Sequence, residues 1–501
     1  MMQMGGFSRE VLYATWMALV LLTTGLYMLF SRPRQQQMAK RKNLLASSRL
    51  KQAVNRRPFQ FVLQAPAVLL YLLIIAAGLW GVQNSSRNPA TVITWSIWWT
   101  GIIFTFLLMG RFWCLICPFA AIGDWVQRMT FWGKREETLS MGLKWPAMFR
   151  NLYPPALTFL LFTWIQFRFG LITNPMYTAY LAIGMIFLAV AMGLIFEKKA
   201  FCRYLCPVGG LMGLYSTIAP TELRVKDRQI CRSCRGKDCI RGNEKGYGCP
   251  VHEYPGTMQN NTYCILCTEC IKTCPHDNLA FNLRPPAAEL MEFHKHRLDE
   301  ALLAQVIMGI TLLHAVSMTP IWDSLLLRLS NLTGFLRGYS AVTALMIMSA
   351  GILPLILIIS AALLKLLVKT DTVKIFAWMA YPLIAIALFM HLAHNSMHIL
   401  MEGGNILPVL SDPFGWGWNI FGTAAKQFSP LLSHNKTAII QVFFVLAGQA
   451  VATAIVMRTS PQNIPERQRG WKFRLVPLIM LVLVNAVNLW LLSLPMVMRM
   501  G

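Results

Sequence analysis

The sequence predicts an all-α polytopic membrane protein that carries a small cytoplasmic α+β ferredoxin-like domain, and three observations predict it. Hydrophobic residues make up 55% of the 501 and charged residues 13%, with a mean hydropathy of +0.49, which is too apolar for a soluble domain of this length. Apolar runs of about 20 residues, the length that crosses a bilayer as a helix, recur along the chain. All 12 cysteines fall between Cys114 and Cys274 at short spacings, a pattern of metal ligation rather than of scattered disulfides. The net charge of +25 does not call for nucleic acid, because Lys and Arg stand in blocks between apolar runs instead of forming a basic domain.

About ten spans are expected, near 11–30, 61–82, 92–110, 151–168, 174–196, 301–320, 341–364, 375–398, 437–457 and 475–497. The fourth is short, opened by Pro154 and Pro155 and closed by Gln166 and Arg168. Short loops rich in Lys and Arg stay on the cytoplasmic side. The first connector holds Arg32, Arg34, Lys40, Arg41, Lys42, Arg49, Lys51, Arg56 and Arg57 against a single Arg9 before the first span, so the N-terminus is expected outside. Alternation then puts Arg128, Lys134 and Arg135 inside, followed by the cysteine domain, by Lys365, Lys369 and Lys374, and by Arg467, Arg469, Lys472 and Arg474. The first span reads as an anchor rather than a cleaved signal, since its charge follows the apolar run. The chain divides into an anchor and basic loop (1–60), a four-helix membrane unit (61–221), the ferredoxin-like domain (222–285) and a five-helix membrane unit (286–501).

The four-helix unit contains a repeat. The chain's third span runs into Arg111-Phe-Trp-Cys114-Leu-Ile-Cys117-Pro118, and its fifth span into Phe201-Cys202-Arg-Tyr-Leu-Cys206-Pro207. A span followed by a cysteine-proline turn, used twice, predicts a duplicated unit with a pseudo-symmetric site between the copies. Cys114, Cys117, Cys202 and Cys206 would then share one membrane edge. They could hold a third cluster or a soft metal, cycle as thiol and disulfide, or simply end buried helices as small apolar side chains.

Cys264-Ile-Leu-Cys267-Thr-Glu-Cys270-Ile-Lys-Thr-Cys274-Pro275 is the bacterial ferredoxin run, in which three thiolates wrap one cubane and the fourth reaches the other cluster. Zinc would instead ask for two separated CxxC pairs. Upstream, Cys231, Cys234, Cys239 and Cys249-Pro250 form a stretched copy. Crossed ligation predicts two 4Fe–4S clusters, one on Cys231, Cys234, Cys239 and Cys274, the other on Cys264, Cys267, Cys270 and Cys249. Arg232, Arg235, Lys237, Arg241 and Lys272 would offset cluster charge, dock an acidic partner, or form a solvated basic face. No nucleophile–base pair or nucleotide-binding glycine loop accompanies these cysteines, so one-electron relay is expected rather than substrate chemistry.

Over roughly residues 61–285 the chain resembles the NosR, NapH and CcoG group of membrane polyferredoxins. Cys202 to Pro207 matches their CxxxCP motif in full, and Cys114 to Pro118 has only two residues between its cysteines. The resemblance implies a protein of the prokaryotic cytoplasmic membrane, quinol dehydrogenase-like, passing electrons between the quinone pool or a cytoplasmic donor and a membrane or periplasmic partner protein. It equally allows a copper-reducing assembly factor for a respiratory metalloenzyme. A transporter in which the clusters only sense or gate is a third reading, of a different class.

The C-terminal unit lies outside that resemblance, and its chemistry rests on histidines. His391, His394 and His398 close the eighth span, with His314 in the sixth and His434 before the ninth. At 3.6 residues per turn His391 and His398 share a face and His394 is offset by about 60°. Ionisable groups in lipid are costly and point to function. Haem b with His314 and a span-eight histidine as axial ligands, a copper site helped by Met397 and Met401, and proton handling at a quinol site are all compatible with them, as are interface histidines hydrogen-bonded to loops. The Gly-, Pro- and Trp-rich stretch 403–418 would dip into the interface and cap them.

Overall fold

The computed structural model describes residues 3–4, 6–31, 40–133, 137–292, 295–333, 339–366, 368, 370–461, 464 and 470–497. Arg32, Arg34, Lys134, Arg135, Lys369, Arg467 and Arg469, counted above as topology charges, lie outside the described residues. Among the described residues nine helices are long and apolar enough to cross a membrane. In chain order the helices used below are α1 (Arg9–Phe30), α2 (Phe59–Trp80), α3 (Trp99–Met109), α4 (Pro118–Arg128), α5 (Tyr153–Phe169), α6 (Pro175–Ile195) and α7 (Pro207–Tyr215). Within the cysteine domain come α8 (Arg228–Ser233) and α9 (Glu269–Thr273), and after it α10 (Leu298–Ser317), α11 (Ile321–Thr333), α12 (Tyr339–Lys365), α13 (Thr372–Glu402), α14 (His434–Arg458) and α15 (Trp471–Leu492).

The expected fourth span is α5, a helix of 17 residues that is shorter than the nine spanning helices. Its prolines occupy the first turn, where the missing N–H costs nothing, and Gly170 closes it in the left-handed region at φ +58°. The helix α11 has no counterpart among the expected spans.

The repeat is visible in the backbone. α3 is preceded by a π-helical stretch, Val92–Trp98, and the second motif is itself a π-helical turn, Phe201–Leu205. At the cysteine before each proline the chain takes the same extended bend, φ −58° and ψ 123° at Cys117, φ −63° and ψ 119° at Cys206. Proline forces its predecessor out of the helical region and then opens the next helix at its own first position. The CP pairs thus break one helix and start another, leaving two thiols at each turn.

α13 forms the core of the C-terminal unit, buried through its whole hydrophobic window and packed against α3, α10, α12 and α14. The cysteine domain is built on antiparallel strands β3 (Thr221–Val225) and β4 (Leu279–Leu283). β2 (Lys42–Asn43) pairs with the free edge of β4, so the basic connector is part of this sheet. A second small sheet pairs β1 (Gln3–Met4) with β5 (Met496–Val497). Stretch 403–418 packs on the entry to α3, with Val409 against Val92 and Leu410 against Ile74 and Ile93.

Candidate functional site

Ferredoxin-type ligation of two clusters needs eight thiols, and the fold brings the eight cysteines of this domain close together, with Cys239 and Cys249 neighbours of both groups. Around Cys239 stand Cys274, Cys231, Cys234 and Cys249; burial first, then repulsion from these neighbours, pushes its thiol up to about 12. Cys231 has Cys274 and Cys234 beside it and is likewise raised. In the other set, Cys270 neighbours Cys267, Cys249 and Cys264 and lies well above the ordinary thiol range, burial again leading. Burial also lifts Cys264 to about 12. Thiols so crowded do not ionise together unaided, and cationic iron is what would neutralise them, so loading should release protons.

Local hydrogen bonds orient the sulfurs. The Asn278 backbone N–H donates to Cys274 Sγ at 3.4 Å and its side-chain amide to Cys231 Sγ at 3.3 Å, joining residues assigned to the same set. Glu253 N–H donates to Cys249 Sγ at 3.3 Å. Arg232, Arg235, Lys237 and Arg241 are exposed, as in a solvated basic face, whereas Lys272 is buried in an ion pair with Glu269 at 2.8 Å.

The membrane-edge cysteines converge as the repeat predicted. Cys114, Cys117, Cys202 and Cys206 all line one small cavity with Trp113, Phe119, Val208 and Met212. Gly209 N–H, in the first turn of α7, donates to Cys206 Sγ at 3.3 Å, and the positive helix end favours an anion there. Lys199, three residues before Cys202, pairs with Asp124 of α4 at 2.9 Å, tying the two copies together. Among the described residues no group of His, Cys, Asp or Glu is arranged to hold a metal ion. A four-iron cubane taking one thiolate per corner is wider than a single ion, and four thiols with no carboxylate or imidazole among them fit its chemistry at all three places.

The feature that sequence reasoning missed is how close the sets are to one another. Cys114 packs on the buried group of Cys249, Val251 and Ile265, together with Cys267. Lys199 N–H donates to Pro250 O at 3.0 Å, and Lys198 Nζ to Cys249 O at 2.9 Å. Arg111, 2% exposed, donates to Thr262 O at 2.5 Å and Cys202 O at 3.4 Å. It therefore bridges the start of the ferredoxin run and the second membrane motif. No spacing in the sequence announces these contacts; only the presence of an arginine, Arg111, at the end of an apolar span hints at one.

Beside the membrane-edge cysteines lies a cavity of about 310 Å³, its wall formed by Tyr71, Trp95, Trp98, Trp99, Trp113 and Phe119 with aliphatic neighbours. Trp113, Phe119 and Val208 line both spaces. The indole N–H groups of Trp98 and Trp113 are buried without an acceptor, although an indole usually finds one when buried.

The histidines are spread over several partners. His391 is held at both ring nitrogens, Nδ1 by Tyr215 Oη at 2.6 Å and Nε2 by Thr311 Oγ1 at 3.0 Å. His314 Nε2 meets Gln166 Nε2 at 3.3 Å, and His398 Nδ1 meets Glu402 Oε2 at 3.0 Å. His394 and His398 rings stand 5.2 Å apart. The haem and copper expectations gain no support from this arrangement, since His391 already spends both nitrogens on hydroxyls.

Comparison with known proteins falls on the repeat. Residues 91–139 and 178–226 each match the family model described as a 4Fe-4S binding domain, and each match contains one of the two cysteine-proline motifs. The chain is 34% identical over 119 residues to an Escherichia coli strain K12 protein named for electron transport, YccM, covering 23% of this chain and 30% of that one. Two uncharacterized Methanocaldococcus jannaschii proteins are also similar. MJ0749 is 25% identical over 39% of this chain and 72% of its own length, and MJ0750 28% identical over 17% and 32%. No solved structure matches.

Proposed function

We propose that this chain is a membrane-bound iron–sulfur electron-transfer protein holding three clusters in series and exchanging electrons with a quinone in the aromatic cavity. One observation carries the reading: Cys114 of the membrane-edge set packs on the buried group that contains Cys249, and Cys249 in turn stands beside Cys239, so the three thiol sets adjoin. The 4Fe-4S binding domain matches over both motifs and the electron-transport name of YccM support it. Bound at these thiolates, 4Fe–4S clusters would supply one-electron redox steps over a wide range of potential.

Cys231, Cys234, Cys239 and Cys274 would hold the outermost cluster, Cys249, Cys264, Cys267 and Cys270 the middle one, and Cys114, Cys117, Cys202 and Cys206 the innermost. Arg111 places a buried positive charge between the last two, which favours the anionic, reduced state on either side. Trp98 and Trp113 offer indole donors to quinone oxygens, and the apolar wall excludes water; the volume falls at the lower end of ordinary ligand sites, which run from about 300 Å³. Exposed Arg232, Arg235, Lys237 and Arg241 would receive an acidic redox partner. The Lys and Arg distribution supports a prokaryotic cytoplasmic membrane with this domain on the cytoplasmic side.

The test is anaerobic stopped-flow on detergent-purified, dithionite-reduced protein mixed with menadione. The visible iron–sulfur absorbance should return to its oxidised form, and Trp98→Phe with Trp113→Phe should raise the half-saturating menadione concentration several-fold. Absorbance indifferent to menadione and to longer-chain quinones would remove the quinone from the account.

A further inference from the structure

We infer that the C-terminal unit contains a proton-conducting path along α10, α13 and α14, running from Glu300–Tyr381 to His398–Glu402. This does not rest on the electron-transfer reading. Tyr381 and Glu402 both lie on α13, whose 1.5 Å rise per residue sets them about 31 Å apart along the axis, which matches the roughly 30 Å hydrocarbon core of a bilayer. Between them the same helix carries His391, His394, Asn395, Ser396 and His398, all buried. Buried ionisable groups in such a helix are expensive, and strings of Asp, Glu and His there mark proton relays.

At one end Tyr381 Oη donates to Glu300 Oε2 at 2.5 Å. Near the middle His391 bonds Thr311 of α10 and Tyr215 of α7. At the other end the His394 ring meets His398, His398 bonds Glu402, and Ser96 Oγ reaches Glu402 at 3.4 Å. The intervals between these stations hold buried polar atoms with no hydrogen-bond partner: both amide atoms of Gln305, Thr453 Oγ1, Asn395 Oδ1 and both amide atoms of Gln441. Gln305 sits on α10 between Glu300 and Thr311, and Gln441 follows by one turn the Thr437 that meets Met401. A buried amide with nothing to bond costs several kcal/mol on transfer scales, so such groups face water in practice.

On the faces of α1, α14 and α15 that meet one another, buried polar groups are paired side chain to side chain, with Asn488 Oδ1 left over at the end. Gln449 bonds Thr23 at 3.0 Å, Asn485 bonds Gln449 at 2.8 Å and Asn488 bonds Asn485 at 2.9 Å. That ladder joins α1, α14 and α15 side chain to side chain, as helix-binding glue does. The α10–α13–α14 line instead leaves polar atoms unpartnered between its protonatable stations, which suits bridging water and proton hopping.

The experiment reconstitutes the full-length protein into phosphatidylcholine–phosphatidylglycerol vesicles with pyranine inside. A potassium diffusion potential is imposed with valinomycin, on oxidised and on dithionite-reduced protein. In at least one redox state the wild type should acidify the lumen several-fold faster than protein-free vesicles. Glu402→Gln should fall to the protein-free rate and Glu402→Asp should retain flux. Gln305→Leu, which removes an unpartnered amide and so leaves folding intact or improved, should also lose it. Wild-type flux equal to protein-free vesicles in both states, or undiminished flux in both Glu402→Gln and Gln305→Leu, would overturn the inference. Quinone-linked absorbance changes in the same samples report separately on the electron-transfer reading.

Discussion

Arg284→Met probes the joint between the cysteine-rich segment and the helices it rests on. Arg284 is fully buried; its guanidinium reaches Glu222 at 3.2 Å and Glu289 at 2.5 Å and donates to Ala219 O and Ser216 O at 3.1 Å each. Removing one partner of a buried pair leaves an uncompensated charge and costs about 3–5 kcal/mol. Here the cost falls at the lower end, about 3 kcal/mol, because Arg41 remains 2.8 Å from Glu222 and Arg224 2.8 Å from Glu289. For a unit of this size each kcal/mol moves the midpoint by about 4–8 °C, so a drop of roughly 10–25 °C is expected. The assay heats the full-length protein in detergent and reads maleimide labelling of Cys264 and Cys270 by mass spectrometry. Arg284→Lys, which keeps the charge and loses the planar fork, should fall between the two. A midpoint for Arg284→Met within about 2 °C of wild type would mean that this cluster of charges does not hold the domain in place.

The same cluster predicts a pH response. Burial pushes the Glu222 carboxyl up, but Arg224, Arg284 and Arg41 with Asn282 bring it below its ordinary value. A depressed carboxylate stabilises fully above its unfolded pKa of about 4.3 and loses that contribution as pH falls through the folded value. Thermal midpoints should therefore decline below about pH 4, less so in Glu222→Gln. Gly213→Ala should lower iron content and thermal midpoint together, by about 1–3 kcal/mol of strain, because its Cβ would stand 2.6 Å from Thr262 O. Arg111→Met should lower the midpoint potential of whichever clusters flank it, read by redox titration with electron paramagnetic resonance; unchanged potentials would show that its charge does not reach them.

Local chemistry was legible in the sequence and tertiary proximity was not. The spanning helices and the two Cys-Pro turns follow from runs and spacings a few residues long, and the structure forms them where hydropathy and proline geometry place them. The short cysteine spacings announced that these thiols would gather, and the fold places them side by side. What escaped is carried by residues far apart in the chain. β2 is two residues with no strand signature, and its flanking Arg41 finds Glu222 and Glu292 at sequence separations of 181 and 251. The partners of His391 are likewise distant, Tyr215 at 176 positions and Thr311 at 80, so a histidine that in sequence suggested a haem or metal ligand is one the fold holds by hydrogen bonds. The aromatic cavity collects tryptophans from the π-helical stretch and the first motif, which in sequence look like ordinary membrane aromatics.

Three thiol sets in series is the claim on which the rest depends, and iron content of anaerobically purified, reconstituted protein tests it directly. Wild type should hold about twelve iron atoms per chain and Cys202→Ser with Cys206→Ser about eight, with the two ferredoxin-type signals still present by electron paramagnetic resonance. About eight in both proteins would contradict it, leaving the membrane-edge cysteines without a cluster and the relay ending at Cys249.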